Sequence, residues 1–92
     1  MKLSVEISKY PLTEDDYVSA IQDFIDRINT YDGISVITNY MSTQLFGDYD
    51  VVMAALSSEL KLSFEKYGTS IFVCKFIPGD LQAKYGNKYA SN

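Results

Sequence analysis

Two long amphipathic segments separated by short alternating segments constrain most strongly how this chain can fold. Apolar side chains recur at helical spacing over residues 17–28 and again over residues 52–67. This i, i+3, i+4, i+7 recurrence predicts two helices that each pack one face on a core. Gly33 and Gly68 follow the two segments and are predicted to be left-handed C-caps, because glycine adopts that conformation without steric cost.

Polar residues mark where the two helices are predicted to begin. Thr13 and Asp16 resemble a capping box, and Asp48 is predicted to be the N-cap of the second helix. The charged residues at other helix positions are predicted to lie in solvent, and they are Asp23, Asp26, Arg27, Glu59, Lys61, Glu65 and Lys66. Acidic residues in such places are expected to be solvated rather than catalytic.

Four short segments alternate between apolar and polar side chains, as strands with one buried face do. They cover residues 3–10, 34–40, 42–46 and 70–77. So few residues join the second segment to the third that the two must form an antiparallel hairpin, with its turn near Tyr40 and Met41.

The first and last strands differ in how many of their faces are apolar. In the first strand, Leu3, Val5 and Ile7 point toward the predicted core. Pro11 ends this strand, because proline cannot continue the hydrogen-bond ladder. In the last strand both faces are apolar apart from Lys75, which predicts that it is covered on both sides.

The order β-α-β-β-α-β predicts an α+β fold of the ferredoxin-like type, a four-stranded antiparallel sheet with two helices on one face. The single domain is predicted to span residues 1–78, and residues 79–92 form a polar C-terminal extension that is loose unless a partner holds it. If Phe72 and Phe76 lie on the face without helices, they form an apolar patch there. We therefore expect self-association as a dimer or tetramer.

Composition and charge exclude several classes of function. The chain has 92 residues, of which 47% are hydrophobic, and its net charge is −4. An acidic chain lacks the basic surface that nucleic-acid binding needs. No apolar run approaches the ~18 residues of a membrane span, and the alternating N-terminus does not resemble a signal peptide. We expect a cytoplasmic protein with no nucleic-acid or membrane partner.

The residue types that most enzymes and metal sites use are missing or scattered. Histidine is absent, which removes the commonest general base and transition-metal ligand. The single cysteine, Cys74, is predicted to be a small buried hydrophobic residue. Asp48 and Asp50 suit helix capping better than binding of a hard cation. The only arginine, Arg27, lies on a predicted helix rather than in a phosphate cradle. We expect no catalytic activity, no metal and no cofactor.

Glu6 is an acidic residue predicted to lie in the middle of a strand, between two serines. If that face of the sheet is covered, the carboxylate is desolvated and needs a partner. One interpretation is an ion pair with Lys75 at a subunit interface. The other is a carboxylate that accepts a hydrogen bond from a ligand amino group.

The central hairpin is rich in neutral side chains that form hydrogen bonds, namely Thr38, Asn39, Ser42, Thr43 and Gln44. Such groups suit recognition of an uncharged heterocycle better than acid–base chemistry. The alternative is a polar hairpin tip with a solvated strand face, because Ser, Thr and Asn are common in turns.

Two short motifs occur in this arrangement, S-x-Y-P at residues 8–11 and T-x-x-M-S-T-x-x-x-G at residues 38–47. With them the chain resembles the YkoF-like family of thiamin- and hydroxymethylpyrimidine-binding domains. The resemblance also includes Asp50 and covers roughly residues 3–78. It implies binding of thiamin or its pyrimidine moiety without turnover. It also implies a homo-oligomer in place of the two tandem domains that some members carry.

The predicted ligand-binding residues come from these motifs and from local chemistry. The motifs contribute Ser8, Tyr10, Thr38, Met41, Ser42 and Thr43, and local chemistry adds Glu6, Asn39 and Gln44. Hydroxyl and amide groups match the ring nitrogens and the exocyclic amine of an aminopyrimidine, on which Tyr10, Tyr40 or Phe46 would stack. We expect non-catalytic binding of thiamin or hydroxymethylpyrimidine in uptake or salvage. The alternative is a small structural or regulatory homo-oligomer with no small-molecule ligand.

Overall fold

The computed structural model describes residues 1–12 and 17–84. Its elements are β1 (Lys2–Pro11), α1 (Tyr17–Ile28), β2 (Ile34–Thr38), β3 (Thr43–Asp48), α2 (Tyr49–Tyr67) and β4 (Ser70–Pro78), followed by one helical turn at residues 81–84. The strands form one antiparallel sheet in the order β2-β3-β1-β4. The predicted α+β ferredoxin-like arrangement is confirmed, and the predicted capping box at Thr13 and Asp16 lies outside the described residues.

The hydrophobic core is built on the inward side of β1, which pairs with β3 on one edge and β4 on the other. Leu3, Val5 and Ile7 are almost fully buried, as their alternation predicted. They form one cluster with Leu45 of β3 and with the apolar faces of the helices, namely Phe24 and Ile28 of α1 and Val52, Ala55 and Leu56 of α2. Each large apolar side chain in it contributes about 1.5–3 kcal/mol by leaving water. The helices thus belong to one face of the sheet because only that face offers them a continuous apolar surface.

The C-terminal end of α2 follows the prediction, whereas the side chain of Asp48 does not cap its start and the glycine predicted to end α1 has another role. Asp48 precedes α2 with an extended backbone, and its carboxylate pairs with the ammonium of Lys2 at 3.1 Å rather than capping the helix. Gly68 ends α2 with a φ of 78°, which confirms its role as C-cap. α1 ends at Ile28, and Gly33 forms the turn into β2 instead, with a φ of 82°. No helix within the described ranges has both the length and the apolar composition that crossing a membrane requires.

The register of β4 on β1 corrects the prediction for the open face of the sheet. Lys9 of β1 lies opposite Phe72, so Phe72 and Phe76 lie on the side of the sheet that the helices cover. The ring of Phe72 packs against Phe24 and Phe64, with ring centroids 5.4 and 5.5 Å apart. The prediction of a patch of Phe72 and Phe76 on the open face is therefore wrong.

The open face carries the alternate apolar residues of β4. Ile71, Val73 and Ile77 are 48%, 51% and 43% exposed. The prediction that β4 is covered on both sides is wrong for a single chain, because the helices cover one face alone. The apolar character of the open face, however, does follow from the unbroken apolar pattern of the strand.

The start of the C-terminal extension is tied to the sheet. The hydroxyl of Ser4 donates to the carbonyl of Gly79 at 2.8 Å and accepts the N–H of Leu81 at 3.0 Å. Asp80 accepts the N–H of Ala83 and so stabilises the turn at residues 81–84. This part of the extension is thus held by its own chain, whereas residues 85–92 lie outside the described residues.

Three charged residues that were predicted to lie in solvent instead join α1 to α2. Glu59 is 6% exposed, and its carboxylate accepts hydrogen bonds from Arg27 Nε at 2.6 Å and from the Tyr31 hydroxyl at 2.8 Å. Arg27 also pairs with Asp23, one turn earlier on α1. The prediction is wrong for Asp23, Arg27 and Glu59. Arg27 meets Glu59 on the other helix, and Asp23 accepts hydrogen bonds from residues of α2, so the spacing within one helix does not show these contacts. Such a pair can be buried because each charge meets its opposite.

Asp23 also accepts hydrogen bonds from two residues of α2. Its Oδ2 atom accepts a hydrogen bond from the Tyr67 hydroxyl at 2.7 Å, and the ammonium of Lys66 lies 3.2 Å away. The hydrogen bond from Tyr67, together with those from Arg27 and Lys66, lowers the pKa of Asp23 from 3.8 to about 2. The folded protein therefore favours the ionised carboxylate.

Asn39 shapes the turn of the β2–β3 hairpin, which lacks an Asn-Gly or Gly-Gly pair. Its backbone N–H donates to the carbonyl of Ser42 at 3.1 Å. Its Oδ1 atom accepts the N–H of Met41 at 2.8 Å and the N–H of Ser42 at 3.1 Å. One side-chain oxygen thus satisfies two backbone donors that the short connection leaves without strand partners.

The Asp23→Asn substitution should remove an acid-dependent part of the stability. Because the pKa of Asp23 is lowered on folding, its contribution is present above about pH 4 and is lost as the pH falls toward 2. This contribution is at most about 2 kcal/mol, since solvent screens a partly exposed group. Urea unfolding at pH 6 and at pH 2.5 gives the free energy of unfolding of each protein. Between these pH values, wild type should lose more of this free energy than Asp23→Asn. The exposed Asp26→Asn serves as control, and an equal acid loss in wild type and Asp23→Asn would contradict the role of Asp23.

The Asn39→Ala substitution should expose the backbone of the hairpin turn. Without Oδ1, the amides of Met41 and Ser42 lose their acceptor, and we expect faster hydrogen exchange at both positions and a loss of about 1 kcal/mol. Asn39→Asp keeps a side-chain oxygen at the same place and is the matched control. Unchanged exchange at both amides in Asn39→Ala would show that another group holds the turn.

Candidate functional site

A recess of about 230 Å³ opens between α1 and the β2–β3 hairpin. The apolar part of its described lining consists of Ile7 from β1 and of Ile21, Phe24 and Ile25 from α1. The polar part consists of Ser8, Thr38, Asn39, Ser42 and Thr43, and Lys9, Tyr10, Tyr40 and Met41 complete the described lining. The volume lies below the ~300–1,000 Å³ typical of sites for drug-sized ligands, which suits a small ring.

The pairing of three strands brings the hairpin to the end of β1. The ladder between β1 and β3 ends at the pair Ile7–Thr43, and the ladder between β2 and β3 ends at the pair Thr38–Thr43. Beyond these pairs the hairpin turns away from β1, while residues 8–10 of β1 continue along β4. The gap between the two paths, with α1 above it, is the recess.

Thr38 and Thr43 form the last pair of the β2–β3 ladder before the turn, and their two Oγ1 atoms lie 3.1 Å apart. They share one hydrogen bond, so the pair keeps one hydroxyl proton and several lone pairs for other partners. Thr43 is buried and Thr38 is exposed. The pair can therefore offer a ligand both a donor and an acceptor at one place.

Glu6 and Gln44 do not line the recess. They lie opposite each other in the β1–β3 ladder and point to the open face of the sheet. The carboxylate of Glu6 accepts a hydrogen bond from the Ser42 hydroxyl at 3.0 Å and pairs with the ammonium of Lys75 at 3.4 Å. The predicted pairing of Glu6 with Lys75 is confirmed within one chain, and Ser42 links this pair to the edge of the recess.

The structure thus divides the predicted ligand-binding residues into two groups. Seven of them line the recess, and they are Ser8, Tyr10, Thr38, Asn39, Met41, Ser42 and Thr43. The other two, Glu6 and Gln44, lie on the open face. Several polar groups of the first group already serve the fold, because Asn39 Oδ1 holds the turn and Ser42 Oγ holds Glu6. The binding role of all nine residues stays a prediction.

Lys9 is a lining residue that the sequence prediction missed. It is 9% exposed, and its Nζ atom donates to the carbonyl of Ala20 in α1 at 3.1 Å. The same atom lies 4.8 Å from the ring centroid of Tyr67 and 5.6 Å from that of Phe72. The signal was present, because Lys9 continues the alternation of the buried residues of β1. A lysine at the end of a strand is usually solvated, so the residue type by itself does not indicate this burial.

Burial lowers the pKa of Lys9, and the positive charge of Arg27 lowers it further, while Asp23 acts in the opposite direction. The carbonyl of Ala20 and the faces of two aromatic rings are the groups that accommodate the ammonium. No other lining residue in the described part of the chain is charged. Within the same residues, no group of three or more His, Cys, Asp or Glu side chains is arranged to hold a metal ion.

Solved structures from several organisms share this fold. Protein SP2199 from Streptococcus pneumoniae superposes with a TM-score of 0.82 at 20% identity, covering 96% of this chain and 98% of that one. A candidate thiamine biosynthesis/salvage protein from Thermotoga maritima superposes with a TM-score of 0.80 at 15% identity, covering 96% and 99%. A domain of unknown function from Bacillus cereus superposes with a TM-score of 0.74 at 18% identity, covering 98% and 95%. Identities this low show a shared fold alone.

Comparison of the sequence with curated proteins found no match. The model of the YKOF-related family matches residues 2–74, which include β1, both helices, the hairpin and the first half of β4. This span contains every residue described above as lining the recess. The chain belongs to the YKOF-related family.

Proposed function

We propose that this protein binds thiamin or its hydroxymethylpyrimidine moiety without turning it over, and that it serves uptake or salvage of that compound in the cytoplasm. Membership of the YKOF-related family supports this proposal, and so does the similarity of the fold to a candidate thiamine biosynthesis/salvage protein. The observation that carries it is the recess of about 230 Å³ beside the central hairpin, lined by seven of the residues that the sequence predicted.

The lining has the chemistry that an aminopyrimidine needs. The exocyclic amine donates hydrogen bonds and the ring nitrogens accept them, so a complementary site offers both donors and acceptors. The Thr38–Thr43 pair offers both, and Asn39 keeps its amide N–H groups because only its oxygen serves the turn. Phe24 and Ile21 provide an apolar wall for the flat face of the ring.

The proposal includes no catalytic step. The chain contains no histidine, and none of the described lining residues is an aspartate or a glutamate. The carboxylate of Glu6 is linked to the recess through Ser42, and it already pairs with Ser42 and Lys75. Such a lining suits holding a ring better than moving a proton to or from it.

We also propose that a second copy of the chain covers the open face of the sheet. Ile71 and Val73 are about half exposed there. The pair of Glu6 and Lys75 leaves the centre of this face without net charge, so two copies would not repel each other there. A small structural or regulatory homo-oligomer without a ligand is the second candidate function, and this face is the observation that favours it.

Isothermal titration calorimetry with thiamin and hydroxymethylpyrimidine tests the binding. We expect a saturable heat with one site per chain. Thr43→Val, which removes one hydroxyl of the pair, should weaken binding about 5–10-fold. Thr30→Val is the matched control, because Thr30 lies outside the recess and bonds to the carbonyl of Arg27. Folded protein that releases no heat with millimolar amounts of either compound would remove the binding proposal.

Sedimentation velocity tests the self-association separately. Wild type should sediment as a dimer or tetramer at about 50 μM, and Val73→Lys should shift it toward monomer because it places a charge in the apolar face. Leu62→Lys, at a partly exposed position on the outer side of α2, is the control. A wild-type monomer would contradict self-association, whereas an oligomer without ligand heat would favour the structural or regulatory function.

A further inference from the structure

The outer edge of β4 is a second interaction surface, and we propose that it pairs with β4 of another copy of the chain. The two strands lie antiparallel about a two-fold axis and join two four-stranded sheets into one continuous sheet. This surface differs from the open face of the sheet, because it binds through backbone hydrogen bonds along an edge. The pairing requires no ligand, so it stands or falls independently of the binding of thiamin or hydroxymethylpyrimidine.

β2 and β4 are the two edge strands, and within the described residues each of them pairs with one neighbouring strand. An edge strand presents a row of unpaired N–H and C=O groups, which is a template for another strand. Proteins limit such pairing by keeping an edge strand short, among other ways. β2 has five residues, whereas β4 has nine. The length of the strand therefore favours β4 as the edge to which a further strand adds.

The sequence of β4 lacks most of the residues that protect an edge. Residues 70–77 contain no proline, and Lys75 is the one charged residue among them. The ammonium of Lys75 lies 3.4 Å from the carboxylate of Glu6 on β1. Two copies that meet along β4 would thus each bring a matched pair of charges rather than an isolated positive charge, and the edge offers little electrostatic resistance to a second copy.

Apolar side chains beside this edge are half exposed on both faces of the sheet. On the helix side, Phe76 of β4 is 51% exposed, and Phe64 of α2, which packs against Phe72, is 46% exposed. On the open face, Ile71 and Val73 are 48% and 51% exposed. A partner on the open face alone would leave the helix-side rings in water. A strand added along the edge supplies neighbours to both faces, because its own side chains alternate in the same way.

The sequence of β4 is self-complementary when all nine residues overlap. In this register Cys74, the middle residue of the strand, lies opposite its own copy. Phe72 then lies opposite the second copy's Phe76 on the helix side, and Ile71 lies opposite the second copy's Ile77 on the open face. Aromatic and β-branched residues that oppose each other across antiparallel strands contact and stabilise the pair. This complementarity is the reason for assigning the edge to a second copy of the chain.

Edge pairing also extends the open face. The two-fold axis is perpendicular to the sheet, so the helices of both copies lie on one side and the two open faces lie next to each other on the other side. Ile71, Val73 and Ile77 of the two copies then form one apolar strip along the seam. Two such pairs that met through their open faces would form a tetramer, and each interface would be isologous.

Hydrogen exchange of the backbone amides of β4 tests this inference. In a single chain, alternate amides of residues 71–77 point to β1 and the others point to the outer edge. Pairing along the edge gives the outer amides acceptors, whereas contact between open faces does not. At about 50 μM wild type, we expect the outer amides of β4 to exchange at least about tenfold more slowly than the outer amides of residues 34–38. Equal exchange at the two edges would overturn the inference.

The Phe76→Lys substitution shows whether the pairing joins two copies. It places a charge beside the edge at a half-exposed position, so it should shift sedimentation velocity toward smaller species and speed exchange of the outer amides about tenfold or more. Leu62→Lys makes a similar change on the outer side of α2 and should behave as wild type. Folded Phe76→Lys that sediments and exchanges as wild type does would show that the edge is not the interface.

The single cysteine gives an independent measurement that needs no disruptive variant. Opposed residues of antiparallel strands have Cβ atoms about 4.5–5.5 Å apart. A bis-methanethiosulfonate with a two-carbon arm should therefore link Cys74 to its copy and give a covalent dimer of wild type. Cys74→Ser should give no dimer, and Cys74→Ser combined with Ser57→Cys, at an exposed position of α2, is the matched control.

Two further outcomes would also overturn the inference. An oligomer in which Cys74 is not linked would show that the copies meet elsewhere, as through the open faces alone. A monomer with slowly exchanging outer amides would show that another segment of the same chain covers the edge. Neither outcome depends on whether a pyrimidine binds, so failure of this inference and failure of the proposed function are measured separately.

Discussion

The pairing of β1 with both β3 and β4 is the constraint on which the rest of the structure depends. Because side chains alternate along a strand, a change of register by one residue would move Leu3, Val5 and Ile7 from the core to the open face. Two ladders hold β1 in place and make such a change costly. The helices, the recess and the open face are all positioned relative to this one strand.

The same alternation that builds the core also places Lys9 on the helix side of β1. In the core, the inward positions of β1 are apolar and closely packed. At the end of the strand, the inward position is a lysine whose charge is met by a carbonyl and two aromatic rings. A buried ammonium costs free energy unless it has partners. The carbonyl of Ala20 and the two rings are those partners, and none of their residues lines the recess.

The central hairpin separates residues that maintain the fold from residues that remain available to a ligand. Asn39 holds the turn through its oxygen, and Ser42 holds Glu6. Gly47 ends the hairpin motif for a steric reason, because a Cβ atom there would lie 2.5 Å from the carbonyl oxygen of Gly33. Part of the motif that carries the family resemblance is thus structural, and the Thr38–Thr43 pair is the part best placed for recognition.

Alternation and helical spacing determined the elements, their order and the core of β1, because these are local properties that repeat along the chain. They also indicated where polar side chains would gather, and seven of the nine predicted residues do line one recess. Tertiary structure decided the rest. Strand register placed Phe72 on the helix side, and helix packing brought Glu59 to Arg27. Contacts between distant segments depend on register and packing, which no single segment encodes, and for that reason β1 alone does not show that the ammonium of Lys9 meets Ala20, Tyr67 and Phe72.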